Sequence, residues 1–416
     1  MKHIILTLLL SFTLFSCNSA PENFNATLAW QEFEQVFNQD YAYRDTAGVE
    51  VDTLIAQYKA KALLTTTESD FVNVVQVFMR YFRDPHLSIY PNSKKGYSVT
   101  PTGADIWVEA KDGKYFIVDI KTASAANKSG MAVNSEIISV DGLTAEAAIS
   151  KVFGGISTGL STKQKVWGLN IALGGIRNQP RVITVSMDNK LHTYQLAATY
   201  DEVIRSYSDP TLSFKKIDNL GYIRFNNSLG NTDTVDAFEN AIEQLINTQG
   251  LILDLRNIPS GGNTGVAEPI LGHFVDQETT YQLYQRQRNG INFQQAEMES
   301  ATAEPSSPYY SKPFVVLVGR WTGSIGEGMM IGLDVLGAKA IIGAPAADLL
   351  GGIKNVTLEH SNTVVDLAFE RMFHVNGTYR EDFQATIKLT SADWGKEGAD
   401  PALETAINFL AQEARK

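Results

Sequence analysis

The chain has 416 residues, which is too long for one compact core, so two or three domains are expected. Its composition, 44% hydrophobic and 19% charged, is that of an ordinary globular protein. The net charge of −11 comes without any block of like charges, which argues against nucleic acid or an anionic membrane surface as a partner. These figures predict no particular oligomeric state.

The N-terminal residues have the layout of an export signal. Lys2 precedes an apolar stretch over residues 4–15, which is shorter than the ~20 residues of a membrane-spanning helix, and small residues follow up to Cys17. The ending Leu-Phe-Ser-Cys resembles a bacterial lipobox. This resemblance implies a signal peptide over 1–17, an acylated Cys17 and a lipid anchor in the bacterial cell envelope, on the outer membrane or a periplasmic face. The alternative is a cleaved signal with an incidental cysteine.

Residues 18–97 are predicted to form an N-terminal helical domain. The segments WQEFEQVFNQDYAY, VDTLIAQYKAKALL and ESDFVNVVQVFMRYF carry apolar residues at spacings of three and four. Asp52 and Thr67 are the expected N-caps of the second and third helices. The pattern ends at RDPHLSIYP, because Pro85 cannot continue a helix.

Residues 98–199 are predicted to form a β-rich domain, with KYFIVDI, RVITVSM and HTYQLAA as strands. The segment SGMAVNSEIISVDGLTAEAAI resembles the PDZ domain, although Asn134 and Ser135 stand where that family usually has Gly-Asp. The resemblance implies that an extended peptide binds at a sheet edge, with residues 102–105 as the loop that holds its terminal carboxylate. The alternative is a β-rich spacer with no ligand.

Residues 200–416 are predicted to form an α/β domain. Apolar strands such as LILDLR and PFVVLVG alternate with helices such as TVDAFENAIEQLIN, a pattern typical of parallel strands buried on both faces. Sheets of this kind carry their reactive groups at the carboxyl ends of the strands. Ser324 in TGSIGEGM and the pair Gly261-Gly262 in DLRNIPSGG both lie at such ends.

Each of these two motifs also has an ordinary structural explanation. Paired glycines can turn their N–H groups outward, as an oxyanion site requires, yet glycines after a strand are commonly only a turn. Small neighbours expose the Ser324 hydroxyl, and a helix that follows it would favour a developing oxyanion. A serine in this place is also a common N-cap.

Taken together, the motifs resemble a known family. DLRNIPSGG, then VVLVGRWTGSIGEG, then IIGAPAADLLGG occur in the order found in the tail-specific (C-terminal processing) serine peptidases and their relative, the tricorn core protease. The resemblance covers nearly the whole mature chain. It implies a ClpP/crotonase-like core of parallel strands, Ser324 as nucleophile, and an oxyanion hole formed by the Ile325 amide and the loop of Gly261 and Gly262.

The same resemblance leaves the general base open between two solutions. One branch of the family uses a serine–lysine dyad, but Gly352 stands at the lysine position here, and Lys354 lies two residues further on. The tricorn-like branch uses histidine and glutamate. Its histidine corresponds to His86 in DPHLSIY, and its glutamate to Glu381 in YREDFQATIKL, with Asp382 as second choice.

Chemistry favours the histidine. Imidazole accepts a proton near neutral pH without any shift of its pKa, whereas lysine must first be desolvated, and a carboxylate on the second ring nitrogen would orient the ring. His374 is the other histidine that could serve as base. The serine itself is a poor nucleophile without such a neighbour.

The sequence therefore predicts a lipid-anchored serine endopeptidase of the cell envelope that cleaves peptides or unfolded proteins through an acyl-enzyme. No metal-binding or phosphate-binding motif is present, so no cofactor is expected. The alternative is a catalytically degenerate peptide-binding lipoprotein. Three departures from the family motivate it: the absent lysine, Ser260 in place of a proline before the glycines, and a shortened C-terminal segment.

Overall fold

A computed structural model describes residues 24–46, 48–91, 96–156, 158–200, 209–286, 293, 295–389 and 399–415. The predicted signal peptide and Cys17 lie outside these ranges, so the lipid anchor stays a prediction. Among the described residues, no helix combines the length and the apolar character needed to cross a bilayer.

The described residues contain these helices: α1 (Ala26–Asp40), α2 (Val51–Ala62), α3 (Glu68–Arg80), α4 (Ala125–Lys128), α5 (Ala145–Val152), α6 (Thr162–Gly174), α7 (Asp233–Leu245), α8 (Thr264–Leu271), α9 (Ile325–Val335) and α10 (Pro401–Glu413). The strands up to residue 225 are β1 (Ser88–Tyr90), β2 (Ile106–Lys111), β3 (Lys114–Ile120), β4 (Glu136–Val140), β5 (Leu143–Thr144), β6 (Arg181–Met187), β7 (Lys190–Leu196), β8 (Leu212–Ile217) and β9 (Leu220–Phe225). The later strands are β10 (Gly250–Asp254), β11 (Thr279–Arg286), β12 (Glu299–Ala303), β13 (Phe314–Val318), β14 (Ala340–Gly343), β15 (Gly352–Leu358), β16 (Thr363–Phe373) and β17 (Ile387–Lys388).

Helices α1 to α3 form the predicted N-terminal bundle around an aromatic core. The rings of Phe37 on α1 and Phe78 on α3 pack edge to face, with their centroids 5.1 Å apart. Thr67 caps α3 as predicted, because its side chain accepts a hydrogen bond from the Asp70 amide at 3.1 Å. The prediction for Asp52 is wrong: α2 begins at Val51, so Asp52 lies in its first turn, where it pairs with Arg44.

The β-rich region, residues 98–199, is one antiparallel sheet in the order β2-β3-β4-β6-β7, with β5 beside β4. Its core is continuous with that of the helical bundle, so the two predicted domains share one hydrophobic cluster. The rings of Tyr81 and Phe153 meet at 5.0 Å across this junction, and Arg80 donates a hydrogen bond to the Val152 carbonyl at 2.6 Å. The helical bundle is therefore held firmly against the β-rich region.

The central sheet of the C-terminal part has the order β17-β14-β13-β10-β9-β8, and every neighbouring pair is parallel except β8 with β9. Successive side chains of β10 and β13 enter different cores. One core lies against α7, α8 and α9 and the other against α10. Burial on both faces explains why these strands are continuously apolar.

A second sheet in the C-terminal part was not expected from the sequence. Strands β11, β12, β15 and β16 pair antiparallel, and β1 from the N-terminal segment completes this sheet by pairing Ser88 to Tyr90 with Val364 to Asp366. The α/β alternation predicted throughout residues 200–416 therefore holds only for the central sheet. The pairing of β1 with β16 brings the chain after α3 next to the C-terminal part, and this places His86.

Candidate active site

Ser324 lies in a strained turn between β13 and α9. Its φ of 54° and ψ of −116° are unusual for a residue with a side chain. Thr322 holds the turn to the end of β10, because its hydroxyl donates to the Leu255 carbonyl at 2.9 Å and accepts from the Gly319 amide at 3.0 Å. The Ser324 side chain is half-buried at the N-terminus of α9.

His86 faces this hydroxyl, with its Nε2 atom 3.1 Å from Ser324 Oγ. The histidine follows Pro85 in the short connection between α3 and β1, and only 7% of it is exposed. Its backbone is fixed by Asp84, whose Oδ1 accepts a hydrogen bond from the His86 amide at 2.9 Å, while Tyr41 donates to Oδ2 of the same carboxylate at 3.1 Å. The structure thus brings together two predicted site residues that are 238 positions apart.

The second ring nitrogen of His86 contacts a backbone carbonyl: Nδ1 lies 2.7 Å from the Leu350 oxygen. A carbonyl can only accept, so the proton is on Nδ1 and the lone pair of Nε2 is directed at the serine hydroxyl. Burial lowers the pKa of His86 to about 4, with the Leu350 carbonyl acting in the opposite direction. The imidazole is therefore neutral at pH 7 and can accept the hydroxyl proton.

Glu381 does not occupy the orienting position that the family resemblance assigns to it. The described hydrogen bonds of His86 involve neither Glu381 nor Asp382, because the Leu350 carbonyl takes Nδ1. Glu381 is half-buried in the turn Arg380–Asp382, burial raises its pKa, and its Oε2 atom has no hydrogen-bond partner among the described residues. Its predicted role is not realised in this structure and stays a prediction.

The two other candidates for the base lie elsewhere. Lys354 is on β15, and its Nζ atom is 2.8 Å from a carboxylate oxygen of Asp40. His374 stacks on Phe383 and accepts a hydrogen bond from the Asn376 amide at 3.1 Å. Neither side chain contacts Ser324 among the described hydrogen bonds.

The predicted oxyanion-hole residues surround Ser324. Gly261 has a φ of +68°, and a Cβ atom on it would overlap the Cβ atom of Ser324 and lie 2.9 Å from its Oγ. The Gly261 amide itself is engaged, donating to the Ile258 carbonyl at 3.3 Å. Within the described part of the chain, the amides of Gly262 and Ile325 donate to no other group. These two amides, rather than that of Gly261, are free to bind an oxyanion.

In the loop predicted to hold a peptide carboxylate, backbone N–H groups already donate hydrogen bonds to other backbone groups. The Gly103 amide donates to the Val99 carbonyl at 2.5 Å and the Ala104 amide to the Pro101 carbonyl at 2.9 Å. The Ala104 carbonyl in turn accepts from the indole of Trp321 at 2.8 Å, which ties this loop to the nucleophile turn. The loop in this structure therefore acts as a contact between the β-rich region and the central sheet.

Glu327 is a site residue that the sequence analysis missed. Its side chain is 1% exposed, and it accepts hydrogen bonds from the Ser324 amide at 2.7 Å and from the amides of Asp348 and Leu349 at 3.1 Å each. The spacing Ser-x-x-Glu is a capping-box signature that could have drawn attention to it. Burial raises the pKa of Glu327 to about 8, and the nearby Arg380 acts in the opposite direction.

Residues 219–388 match the family model described as Peptidase family S41. The chain contains a peptidase S41 domain, and it is a serine peptidase. The matched range of this S41 domain includes Ser324 and the glycine pair, and it excludes His86.

Two solved structures share the fold of this chain over most of both chains. The photosystem II D1 C-terminal processing protease is 18% identical, with a TM-score of 0.59 and coverage of 94% of this chain and 98% of that chain. Mature CPAF complexed with lactacystin is 14% identical, with a TM-score of 0.60 and coverage of 94% and 97%. A search of curated proteins finds no match.

Proposed function

We propose that the S41 peptidase described here is a lipid-anchored endopeptidase of the cell envelope that uses Ser324 as nucleophile and His86 as general base. The observation that carries the proposal is the 3.1 Å contact between Ser324 Oγ and the unprotonated Nε2 of a neutral His86. A histidine base also supports a place in the tricorn-like branch of the family, and the parallel central sheet supports a ClpP/crotonase-like core.

In the proposed reaction, Ser324 Oγ attacks the scissile carbonyl carbon while its proton passes to Nε2 of His86. The carbonyl oxygen becomes an oxyanion that the amides of Gly262 and Ile325 bind at the N-terminus of α9. Collapse of this intermediate breaks the C–N bond, and His86 returns its proton to the leaving amine. Water then hydrolyses the acyl-enzyme, with His86 acting as base a second time.

A cleft beside the site supports a peptide or unfolded protein as substrate. A cavity of about 410 Å³ lies between β2, α6 and the residues that flank the nucleophile turn, lined among others by Trp107, Lys163, Arg320 and Asp348. We propose that the β-rich region is PDZ-like and guides an extended chain along this cleft. The edge of β2 is partly closed there, because the Asn170 side chain accepts from the Val108 amide at 2.9 Å and donates to the Val108 carbonyl at 3.3 Å.

A fluorophosphonate probe tests the proposal, because it reacts only with an activated serine, whose oxygen bonds to phosphorus while fluoride leaves. We expect the full-length protein to be labelled at one site, with labelling lost in Ser324→Ala and hydrolysis of an unfolded protein lost in parallel. Retained peptide binding without labelling of the wild-type protein would refute the endopeptidase and would favour the degenerate peptide-binding lipoprotein.

A further inference from the structure

The loop of residues 348–351, which we call the orienting loop, presents the Leu350 carbonyl to His86 and is held on several sides. Glu327 accepts hydrogen bonds from the Asp348 and Leu349 amides, each at 3.1 Å. The buried guanidinium of Arg380 donates to the Leu349 carbonyl and, at 2.9 Å, to the Gly351 carbonyl. The side chains of Glu327 and Arg380 therefore hold the backbone before and after the Leu350 carbonyl.

One of these side chains also holds the nucleophile. The Oε2 atom of Glu327 that accepts from the Leu349 amide also accepts from the Ser324 amide at 2.7 Å. A single carboxyl group thus joins the turn that carries the serine to the loop that orients the histidine. The shared Oε2 atom therefore fixes the position of the Ser324 amide relative to the Leu349 amide.

We propose that Glu327 is a positioning residue that fixes the geometry of Ser324 and His86, and that the Leu350 carbonyl takes the orienting role which the family resemblance gives to Glu381. This inference rests on the proposed function, since it concerns the same pair. Glu327 touches neither substrate nor reacting atoms; it acts through the backbone of Ser324 and of the orienting loop.

A glutamine at position 327 cannot reproduce these contacts. Its amide group offers one oxygen acceptor for three backbone N–H donors, and its NH₂ group would face a donor instead of an acceptor. At least one buried N–H group would lose its partner, so the orienting loop and the Leu350 carbonyl would shift. A shift of the histidine by about 1 Å is enough to slow the reaction by up to ~10²-fold.

The test compares Glu327→Gln with a matched control, Glu32→Gln. Glu32 also accepts two backbone N–H groups, from Glu359 at 2.8 Å and His360 at 3.0 Å, and it joins α1 to the turn between β15 and β16 rather than to the site. Two quantities are measured in the full-length protein: the second-order rate of fluorophosphonate labelling, and the tautomer of His86 from ¹⁵N shifts in protein labelled with ¹⁵N-histidine. Thermal unfolding shows whether each variant is folded.

We expect Glu327→Gln to lower the labelling rate by roughly tenfold to a hundredfold and to abolish the single Nδ1-protonated form of His86. Glu32→Gln should leave both quantities at wild-type values. A merely structural role for Glu327 would change the melting temperature and leave the tautomer of the folded protein unchanged. Labelling within twofold of wild type together with an unchanged tautomer would overturn the inference.

The two proposals fail in different ways. A wild-type protein that is not labelled refutes the proposed function, and the tautomer of His86 in wild type and in Glu327→Gln still decides whether Glu327 positions the histidine.

If Glu327→Gln does not fold, Arg380→Lys tests the orienting loop from its carbonyl side, because one ammonium group cannot replace the guanidinium fork that binds both carbonyls. The same losses are expected there, and their absence counts against the inference.

Discussion

Ser324 and His86 are positioned in different ways. The serine belongs to the central sheet, where the ends of β10 and β13, the Gly261 turn and α9 surround it within one stretch of chain. The histidine comes from the N-terminal segment and reaches the site only because α3 packs against the β-rich region and β1 joins β16. The nucleophile is thus built locally, whereas its base depends on packing between distant parts of the chain.

The largest effect should come from removing the base that this long-range packing supplies. We expect His86→Ala to lower turnover of a peptide substrate by about 10²- to 10⁴-fold, the usual contribution of a general base. Lys354→Ala should change turnover less than twofold, since Lys354 has no described hydrogen bond to Ser324 and its partly exposed pair with Asp40 contributes at most ~1 kcal/mol. If Lys354→Ala instead caused the larger loss of turnover, Lys354 and not His86 would be the general base.

The local construction around the serine is tested by Gly261→Ala, for which we expect roughly a 10²-fold loss of fluorophosphonate labelling. The added methyl group would overlap Ser324 and displace the hydroxyl from His86. Gly113→Ala is the matched control: Gly113 also has a positive φ, of +77°, and no atom lies within 4 Å of an added Cβ. This control should cost about 1 kcal/mol of stability and leave labelling unchanged. Equal labelling of both variants would contradict the close packing of Gly261 against the serine.

Glu381→Gln distinguishes a carbonyl-oriented from a carboxylate-oriented histidine. Because Leu350 and not Glu381 contacts Nδ1 of His86, we expect turnover to fall by less than about tenfold. A loss near the ~10⁴-fold that removal of an orienting carboxylate can cause would mean that Glu381 reaches His86 in the working enzyme. Asp382→Asn serves as the control, because Asp382 lies in the same turn with its side chain exposed.

The smallest expected effect concerns the pH dependence of labelling. Burial lowers the pKa of His86 to about 4, so the neutral base persists as the pH falls from 7 to 5 and is half lost only near pH 4. The labelling rate should therefore be flat over that range, where an unperturbed histidine would show a midpoint near 6.5. A midpoint at 6 or above would show that the imidazole is more solvated than its position indicates.

The lowered pKa of His86 also makes the free energy of unfolding depend on pH. The unfolded histidine, with a pKa near 6.5, binds a proton before the folded one does, so the contribution of His86 is complete above pH 6.5 and is lost as the pH falls towards 4. The loss amounts to roughly 3 kcal/mol, and thermal unfolding of His86→Gln, which does not titrate, should show a shallower decline over this range.

Several features could be predicted from the residues alone because each depends on a contiguous pattern. Continuous apolar strands with intervening helices indicated the buried central sheet, and Thr67 was correctly chosen as a helix cap. The small residues around Ser324 and the pair at 261 and 262 indicated a turn with close backbone approach. Asp52 is not the N-cap because α2 already begins at Val51.

Other features could not be predicted from the residue types. The group that orients His86 is a backbone carbonyl, and any residue at position 350 would provide the same atom. The Gly261 amide is hydrogen-bonded and the Gly262 amide is not, and this difference depends only on backbone geometry. The antiparallel sheet is completed by β1, which lies nearly three hundred residues before β16 in the chain.

The sequence by itself determined the serine turn, the glycine pair and the position of the histidine just after the N-terminal helices, because short-range sterics and hydrophobic periodicity act between neighbours along the chain. The tertiary structure decided which atom orients that histidine and which amides are free for an oxyanion. Those choices depend on distances between backbone atoms of segments that only packing brings together.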